Sequence, residues 1–527
     1  MKRTSDKIRS QYPLLALALL LGISCTRQEG IRVEGGLVKG VEEEGLTVYK
    51  GIPYAAPPVG FLRWAPPQPV TPWDTLLLAN EFAPACPQVV FPDAASMDNS
   101  VGPQSEDCLY LNIWTPAKGS TEKLPVMVWI HGGGFAIGGT RISNYSGEKL
   151  ARKGVVVVSL SYRLGAFGFL AHPELTRESD AGASGNYGLL DQLAGLKWVQ
   201  NNIAAFGGDP ENVTIFGESA GGISVSMLCG SPLAKGLFHR AISQSGGSFE
   251  PVLDQGDQGM ATLARAEKQG LDFATRMGAH TLADLRALPI GTIVNDPSSN
   301  MGGFWPICDR YVITDDQYKL YSEGRYNDVD VLIGTNSNEG AMFVFGVNQS
   351  ILQEMLQQSF GPLASRAEEV FPATNDSIAL QSARNIFRDQ MFAWPTWTWA
   401  RLQSRTGKSN VFVYYFDQRE PAMNQGIPTI GASHSDEINY VFGHVDQNFN
   451  YQYTESDREL SSLLMDYWVN FASTGDPNGA NLPAWPRFAD KGDRAVMYFR
   501  SPEPEVGPVP NRPQLEFLEE HFTMLRK

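Results

Sequence analysis

Short apolar runs alternate with longer amphipathic segments along most of the chain. Most of the short runs are rich in β-branched and aromatic residues and lack polar alternation, which is typical of strands covered on both faces. They predict strands over 126–130, 155–160, 213–216, 329–333 and 411–416. Apolar residues at helical spacing predict helices over 188–205, 260–277, 378–404 and 456–473. Because strands and helices alternate, we predict an α/β fold with a mostly parallel central sheet flanked by helices.

The N-terminal segment has a different pattern. Four basic residues precede a short apolar run over 13–23, which is too short to remain as a membrane-spanning helix. Residues 1–25 are therefore interpreted as a signal peptide. Cys25 follows Leu-Gly-Ile-Ser and resembles the cysteine that bacteria lipidate, although Gly22 stands where that motif prefers leucine. Simple cleavage and release is the alternative. Both outcomes predict an exported protein that is periplasmic, lipid-anchored at the cell envelope or secreted.

Composition narrows the possible partners of the remaining chain. Residues 31–522 contain no linker, repeat or low-complexity tract, so we expect a single catalytic domain. The 42 Lys and Arg residues against 57 Asp and Glu give a formal charge of −15, which opposes binding to nucleic acid and anionic lipid. Membrane contact is expected only through a lipid on Cys25. Zinc-type CxxC spacing and an HExxH motif are both missing from the sequence, so we expect neither a metal nor another cofactor.

The sequence Gly217-Glu-Ser-Ala-Gly221 indicates nucleophilic catalysis. It follows the predicted strand 213–216 and precedes an apolar helical pattern over 220–229. A sharp turn between strand and helix lifts a serine hydroxyl clear of the sheet, and its glycines leave room for close backbone contacts. We predict that Ser219 is the nucleophile.

A serine hydroxyl needs a base to take its proton, and the usual chain order in this type of fold is serine, acid, histidine. His434 lies in a loop of small residues, 431–437, after the strand 411–416, and is the predicted base. The alternatives are His444, which resembles a packing or surface residue, and His521, which lies in a charged helical pattern.

The acid is expected at the carboxyl end of a strand between the serine and the histidine. Glu339 follows the strand 329–333 and is the predicted acid, which would fix the tautomer of the imidazole. The competing carboxylates, Asp309, Asp315 and Asp316, precede that strand.

A glycine-rich loop supplies candidate donors for the developing negative charge. His131-Gly-Gly-Gly-Phe135 follows directly on the strand 126–130, and consecutive glycines let backbone amides approach a substrate closely. We predict an oxyanion hole made by the amides of Gly133, Gly134 and Ala220.

Four segments, together with these motifs, resemble the type-B carboxylesterase and cholinesterase family, in particular bacterial para-nitrobenzyl-esterase-like enzymes. They are 51–58 with Arg63-Trp64, 106–114, 162–170, and 206–221. The resemblance runs from about residue 31 to about residue 522. It implies an α/β-hydrolase fold and hydrolysis of small carboxylic esters through Ser219, Glu339 and His434, without a cofactor.

The resemblance carries three further implications. Glu218 borders the site, Ser245 lies buried near the triad, and Cys86 forms a disulfide with Cys108. Spacing alone leaves the connectivity of the cysteines open, and Cys229 follows an apolar run that is typical of a buried free thiol.

Some positions depart from the family pattern. Asn338 stands where family members usually have aspartate. The loop between Cys86 and Cys108 lacks the tryptophan with which cholinesterases hold quaternary ammonium, and this absence argues against choline esters as substrates. Trp394, Trp397 and Trp399 are interpreted as helix packing.

A catalytically silent binding protein is a competing hypothesis, disfavoured because all three triad residues are present. Hydrolysis of a carbamate, thioester or feruloyl ester is another, since the same residues serve each reaction.

Overall fold

The computed structural model describes residues 30–89, 101–256, 258–419, 430–447, 452–489 and 495–527. The predicted signal peptide, including Cys25, lies outside the described residues. The strands are β1 Ile31–Val33, β2 Gly36–Lys39, β3 Val41–Glu43, β4 Leu46–Pro53, β5 Leu76–Leu78, β6 Tyr110–Thr115, β7 Leu124–Ile130, β8 Val156–Leu160, β9 Gly208–Glu218, β10 Arg240–Gln244, β11 Val252–Leu253, β12 Met260–Ala261, β13 Asp330–Asn336, β14 Val411–Phe416, β15 Val496–Phe499 and β16 Glu505–Gly507.

One large sheet organises the described part of the chain. Its strand order is β16-β15-β14-β13-β10-β9-β7-β8-β6-β4-β3. Every pair from β15 to β8 is parallel, and the pairs at both ends of the sheet are antiparallel. The predicted sheet with a parallel centre is therefore confirmed. Strands β8 and β14 are buried at every position, as expected for strands covered on both faces.

Helices cover both faces of this sheet. They are α1 Glu148–Ala151, α2 Gly165–Phe169, α3 Pro173–Glu178, α4 Tyr187–Asn202, α5 Ala220–Gly230, α6 Leu263–Arg276, α7 Leu282–Ala287, α8 Ile290–Val294, α9 Gln317–Ser322, α10 Gln349–Phe360, α11 Ala364–Val370, α12 Asp376–Arg388, α13 Trp394–Thr406, α14 Asp436–Val441, α15 Glu455–Thr474 and α16 Arg512–Leu525. Within the described ranges, no helix combines the length and apolar character needed to cross a bilayer.

The prediction of one uninterrupted helix over 378–404 is wrong. A π-helical turn, Asp389–Ala393, separates α12 from α13. Pro395 at the start of α13 lacks the N–H that a regular helix would bond to the carbonyl four residues earlier, so the local hydrogen-bond pattern has to change. The tryptophans of α13 pack in the interior as expected, with Trp394 and Trp399 fully buried.

The parallel strands bring the predicted site to one edge of the sheet. The loop after β7 begins at His131, Ser219 follows β9 and Ser245 follows β10. Glu339 follows β13, and His434 lies in the connection after β14. Carboxyl ends of parallel strands share one edge, and in open α/β sheets that edge is where ligands bind.

The expected disulfide between Cys86 and Cys108 is not formed in this structure. Both residues are free and buried. The neighbouring thiol of Cys86, together with burial, raises the pKa of Cys108 well above its usual value. The two sulfur atoms are therefore neighbours in their reduced form. Cys229 is a buried free thiol, as predicted.

Candidate active site

Ser219 occupies a strained turn between β9 and α5. Its backbone has φ 55° and ψ −124°, a conformation that side chains rarely adopt. A Cβ on Gly221 would lie 1.9 Å from the carbonyl oxygen of Ile130, and one on Gly217 would lie 2.6 Å from the same atom. Glycine is therefore required at both positions for the turn to pack against β7. Ser219 is only half-buried, so its hydroxyl can meet a ligand.

His434 and Glu339 meet although 95 residues separate them in sequence. Nδ1 of His434 lies 2.6 Å from Oε2 of Glu339, and both side chains are buried. The other carboxylate oxygen accepts hydrogen bonds from the Ser245 hydroxyl at 2.6 Å and from the backbone N–H of Asn336 at 2.7 Å. With Nδ1–H donated to Glu339, Nε2 is left to exchange a proton on the side that faces away from Glu339.

Glu218 lies on the other side of the imidazole. Its Oε1 is 3.2 Å from Nε2 of His434 and accepts a hydrogen bond from the Ser435 hydroxyl at 2.6 Å. Burial alone lowers the pKa of His434, but Glu218 and Glu339 outweigh this effect and raise the pKa to about 9. Burial raises the pKa of Glu218, although His434 opposes the shift. The two carboxylates therefore stabilise the imidazolium form of His434.

A third buried carboxylate, Glu437, completes the acidic surroundings of the imidazole. It accepts hydrogen bonds from Gln244 Nε2 at 3.0 Å and from Asn336 Nδ2 at 2.5 Å. Burial raises its pKa, and the charge of Glu339 adds to the rise. Glu437 was not among the residues predicted from the sequence. Its position three residues after His434, at the start of α14, was the available signal.

The glycine loop lies beside Ser219. A Cβ on Gly132 would be 3.1 Å from Cβ of Ser219. Gly133 and Gly134 have φ values of 106° and 59°, and the carbonyl of Gly133 accepts hydrogen bonds from Ala136 and Ile137. Across the residues that the structure covers, none accepts a hydrogen bond from the backbone N–H of Gly133, Gly134 or Ala220. Three donors near the serine are thus available to a ligand.

The other candidate histidines are engaged elsewhere. His444 is buried, with Nε2 2.8 Å from the carbonyl oxygen of Ser146. His521 is buried on α16 against the ring of Phe360, and burial lowers its pKa to about 4.

The competing carboxylates also have other partners. Asp309 accepts three backbone N–H bonds within its own turn, Asp315 pairs with Lys319, and Asp316 pairs with Arg526. The described residues contain no cluster of three or more side chains suited to holding a metal ion.

Comparison with known proteins identifies the family. The carboxylesterase family model matches residues 27–518. This chain belongs to the carboxylesterase family. The esterase is 37% identical over 492 residues to fumonisin B1 esterase of Sphingopyxis macrogoltabida, covering 89% of this chain and 86% of that protein. It is 37% identical over 472 residues to para-nitrobenzyl esterase of Bacillus subtilis strain 168, covering 86% and 92%.

Solved structures agree with this assignment. A PNB esterase structure matches with a TM-score of 0.80 at 34% identity, covering 93% of this chain and 99% of the other. A thermophilic PNB esterase matches with a TM-score of 0.79 at 34% identity, covering 93% and 99%. The α/β-hydrolase fold is confirmed, and the esterase is a serine hydrolase of carboxylic esters.

Proposed function

We propose that the esterase cleaves esters through a triad of Ser219, His434 and Glu339. The observation that carries this proposal is the buried contact of 2.6 Å between His434 Nδ1 and Glu339 Oε2, with Nε2 of the same imidazole 3.2 Å from Oε1 of Glu218, the residue before Ser219. Oγ of Ser219 bonds to the acyl carbon while its proton passes to Nε2 of His434. The bond to the alcohol oxygen then breaks, and that oxygen takes the proton from His434.

Water repeats the sequence on the acyl-enzyme. It gives a proton to His434 as its oxygen bonds to the acyl carbon, and the bond from that carbon to Oγ of Ser219 then breaks. The carboxylic acid leaves and the serine hydroxyl is restored. In both steps the amides of Gly133, Gly134 and Ala220 stabilise the charge on the carbonyl oxygen, and one such donor contributes about 3 kcal/mol to lowering a barrier of this kind.

The substrates we propose are small neutral carboxylic esters. Glu218 lies 3.2 Å from the imidazole and the buried Glu437 adds negative charge near it, so a negatively charged group beside His434 would be repelled. Rates with p-nitrophenyl esters of increasing acyl length test this proposal, together with an aryl carbamate and a thioester. A preference for either of the last two would place the enzyme in a different class of acyl hydrolase.

The triad assignment is tested with Ser219→Ala and with an organophosphonate that labels active serine hydrolases. We expect wild type to be labelled on Ser219, and Ser219→Ala to lose labelling and hydrolysis while keeping its unfolding temperature. Hydrolysis at equal rates by the two proteins would overturn the assignment. Failure of the phosphonate to label wild type, together with no hydrolysis, would favour the silent binding protein.

We also propose that the protein is exported and that a lipid is attached to Cys25. In an oxidising compartment an oxidant would take two electrons from the neighbouring thiols of Cys86 and Cys108, release their protons and leave a disulfide. Metabolic labelling with an alkyne fatty acid tests the anchor, because Cys25→Ser should remove the label and release the protein from the membrane fraction. Thiol alkylation followed by mass measurement tests the disulfide.

A further inference from the structure

The π turn between α12 and α13 lies directly beside the site. The N–H of Trp394 bonds to the carbonyl of Asp389, five residues earlier, where a regular helix would bond four residues back. One extra residue is thereby accommodated in this turn, which rotates the following helix relative to the preceding one. Single π turns of this kind are found frequently at functional sites.

Phe392 in the π turn packs face to face on the imidazole of His434. The ring centroids are 4.7 Å apart and the planes are within 19° of parallel. Phe343, which follows Glu339 closely in the chain, contacts the imidazole at a centroid distance of 5.1 Å and a tilt of 59°. Phe392 is 3% exposed, so the contact is made in the interior. Two aromatic rings thus restrict rotation of the imidazole away from Glu339.

The start of the π turn is bonded to the loop that carries Glu339. Arg388, the last residue of α12, makes two hydrogen bonds to Asp389, at 2.7 and 3.0 Å. Its Nη1 donates to the carbonyl of Ser337 at 3.0 Å, two residues before the triad acid. Arg388 and Asp389 are both buried, so this connection is shielded from water and from salt.

The helix after the π turn is bonded to the loop that carries Ser245. The hydroxyl of Thr396 donates to the carbonyl of Gly246 at 3.0 Å. Ser245, the preceding residue, donates its own hydroxyl to Glu339. The segment from Arg388 to Thr396 therefore contacts the loop before Glu339, the loop that bonds to Glu339, and His434 itself.

We propose that Phe392 is a positioning residue for the imidazole of His434, and that the π turn holds Phe392 against this ring. The inference rests on the proposed triad. The stack keeps Nδ1 directed at Glu339, which leaves Nε2 to exchange the proton. It also places an aromatic face against the imidazolium that forms during each step, which such a face attracts. A displacement of about 1 Å in a catalytic group can cost about 100-fold in rate.

The experiment compares Phe392→Leu and Phe392→Met, which remove the planar face, with Phe392→Tyr, which keeps it. The matched control is Phe387→Leu. Phe387 packs on Phe343 at 4.7 Å and on Phe392 at 6.1 Å, but among the described rings it has no contact with His434. The readouts are kcat and KM for p-nitrophenyl acetate, butyrate and octanoate, and the unfolding temperature of each variant.

We expect Phe392→Leu and Phe392→Met to lower kcat by about 10- to 100-fold, by the same factor for all three esters, with KM nearly unchanged. Phe392→Tyr should keep a kcat close to that of wild type, and so should Phe387→Leu. In proton NMR spectra, the low-field resonance of the proton between His434 and Glu339 should be lost or broadened in Phe392→Leu and kept in Phe387→Leu.

Three results would overturn the inference. They are a kcat of wild-type size in Phe392→Met, a loss that depends on acyl length and appears in KM, and an equal loss in Phe387→Leu. The second would make Phe392 a substrate contact instead. Ser219→Ala separates this inference from the proposed function. Activity in that variant would refute the proposed triad. An inactive Ser219→Ala together with a fully active Phe392→Met would refute only the positioning role of Phe392.

Discussion

Replacing Glu218 with glutamine removes a negative charge 3.2 Å from Nε2 of His434 while keeping the size of the side chain. Glu218 and Glu339 together raise the pKa of His434 to about 9. A protonated imidazole cannot take the proton of Ser219, so kcat/KM falls as the pH drops below this pKa. With glutamine at position 218 the pKa of His434 should be lower, and activity should persist to lower pH.

The size of the shift follows from the distance. Two unit charges 3.2 Å apart interact by about 5 kcal/mol at an effective dielectric constant of about 20, and by about 1.3 kcal/mol in bulk water. One pKa unit corresponds to about 1.4 kcal/mol, and opposite charges at such distances typically shift a pKa by about 1 to 3 units. We therefore expect the acid limb of kcat/KM to move down by about 1 to 3 pH units in Glu218→Gln. The plateau at high pH should also fall, because the imidazolium formed in the transition state loses a stabilising neighbour.

The assay is kcat/KM for p-nitrophenyl acetate across pH, read at the isosbestic wavelength of the product, because this profile reports the pKa values of the free enzyme. Glu218→Asp keeps the charge and should keep the acid limb near its wild-type position. Glu437→Gln removes a charge that contacts Gln244 and Asn336, and should give a smaller downward shift. An acid limb that stays in place or moves upward in Glu218→Gln would refute the electrostatic reasoning.

Three further predictions concern the stability of the fold. Gly221→Ala places a methyl group 1.9 Å from a carbonyl oxygen and should cost about 1–3 kcal/mol or more in urea unfolding together with most activity, whereas Gly119→Ala, which meets nothing within 4 Å, should be nearly neutral. Arg163→Ala leaves Asp191 buried without the two hydrogen bonds of 2.7 Å that it accepts from the guanidinium group. This variant should lose about 3–5 kcal/mol of unfolding free energy, and the double variant Arg163→Met, Asp191→Leu should recover part of the lost stability. Burial lowers the pKa of His521 from 6.5 to about 4. As the pH falls from 6.5 to 4, this histidine is therefore protonated in the unfolded chain but not in the folded one, and the fold loses stability. His521→Leu should reduce that loss in thermal unfolding curves recorded across this pH range, and an unchanged pH dependence would contradict the prediction.

The local pattern of the sequence determined the class of reaction and five of the seven strands in the parallel centre of the sheet. Strands over 126–130 and 411–416 match β7 and β14 closely, because a strand buried on both faces requires an uninterrupted apolar run. Gly217 and Gly221 around Ser219 indicated the strained turn, because the close packing of that turn against β7 excludes any other residue. The chain order that is usual in this type of fold selected Glu339 and His434, and each of them follows a strand that ends at the same edge as the strand before Ser219.

Only the tertiary structure decided which charges and rings surround His434. Glu437 lies among charged and polar neighbours in the sequence, and nothing local shows that it is buried against Asn336 and Gln244. Phe392 lies in an apolar helical pattern, and a hydrophobic period cannot distinguish an α-helix from one interrupted by a single π turn. The pKa of His434 likewise depends on carboxylates that approach it from β9 and from the loop after β13. Such contacts are set by how distant segments pack, and this information is not contained in the spacing of residues along one segment.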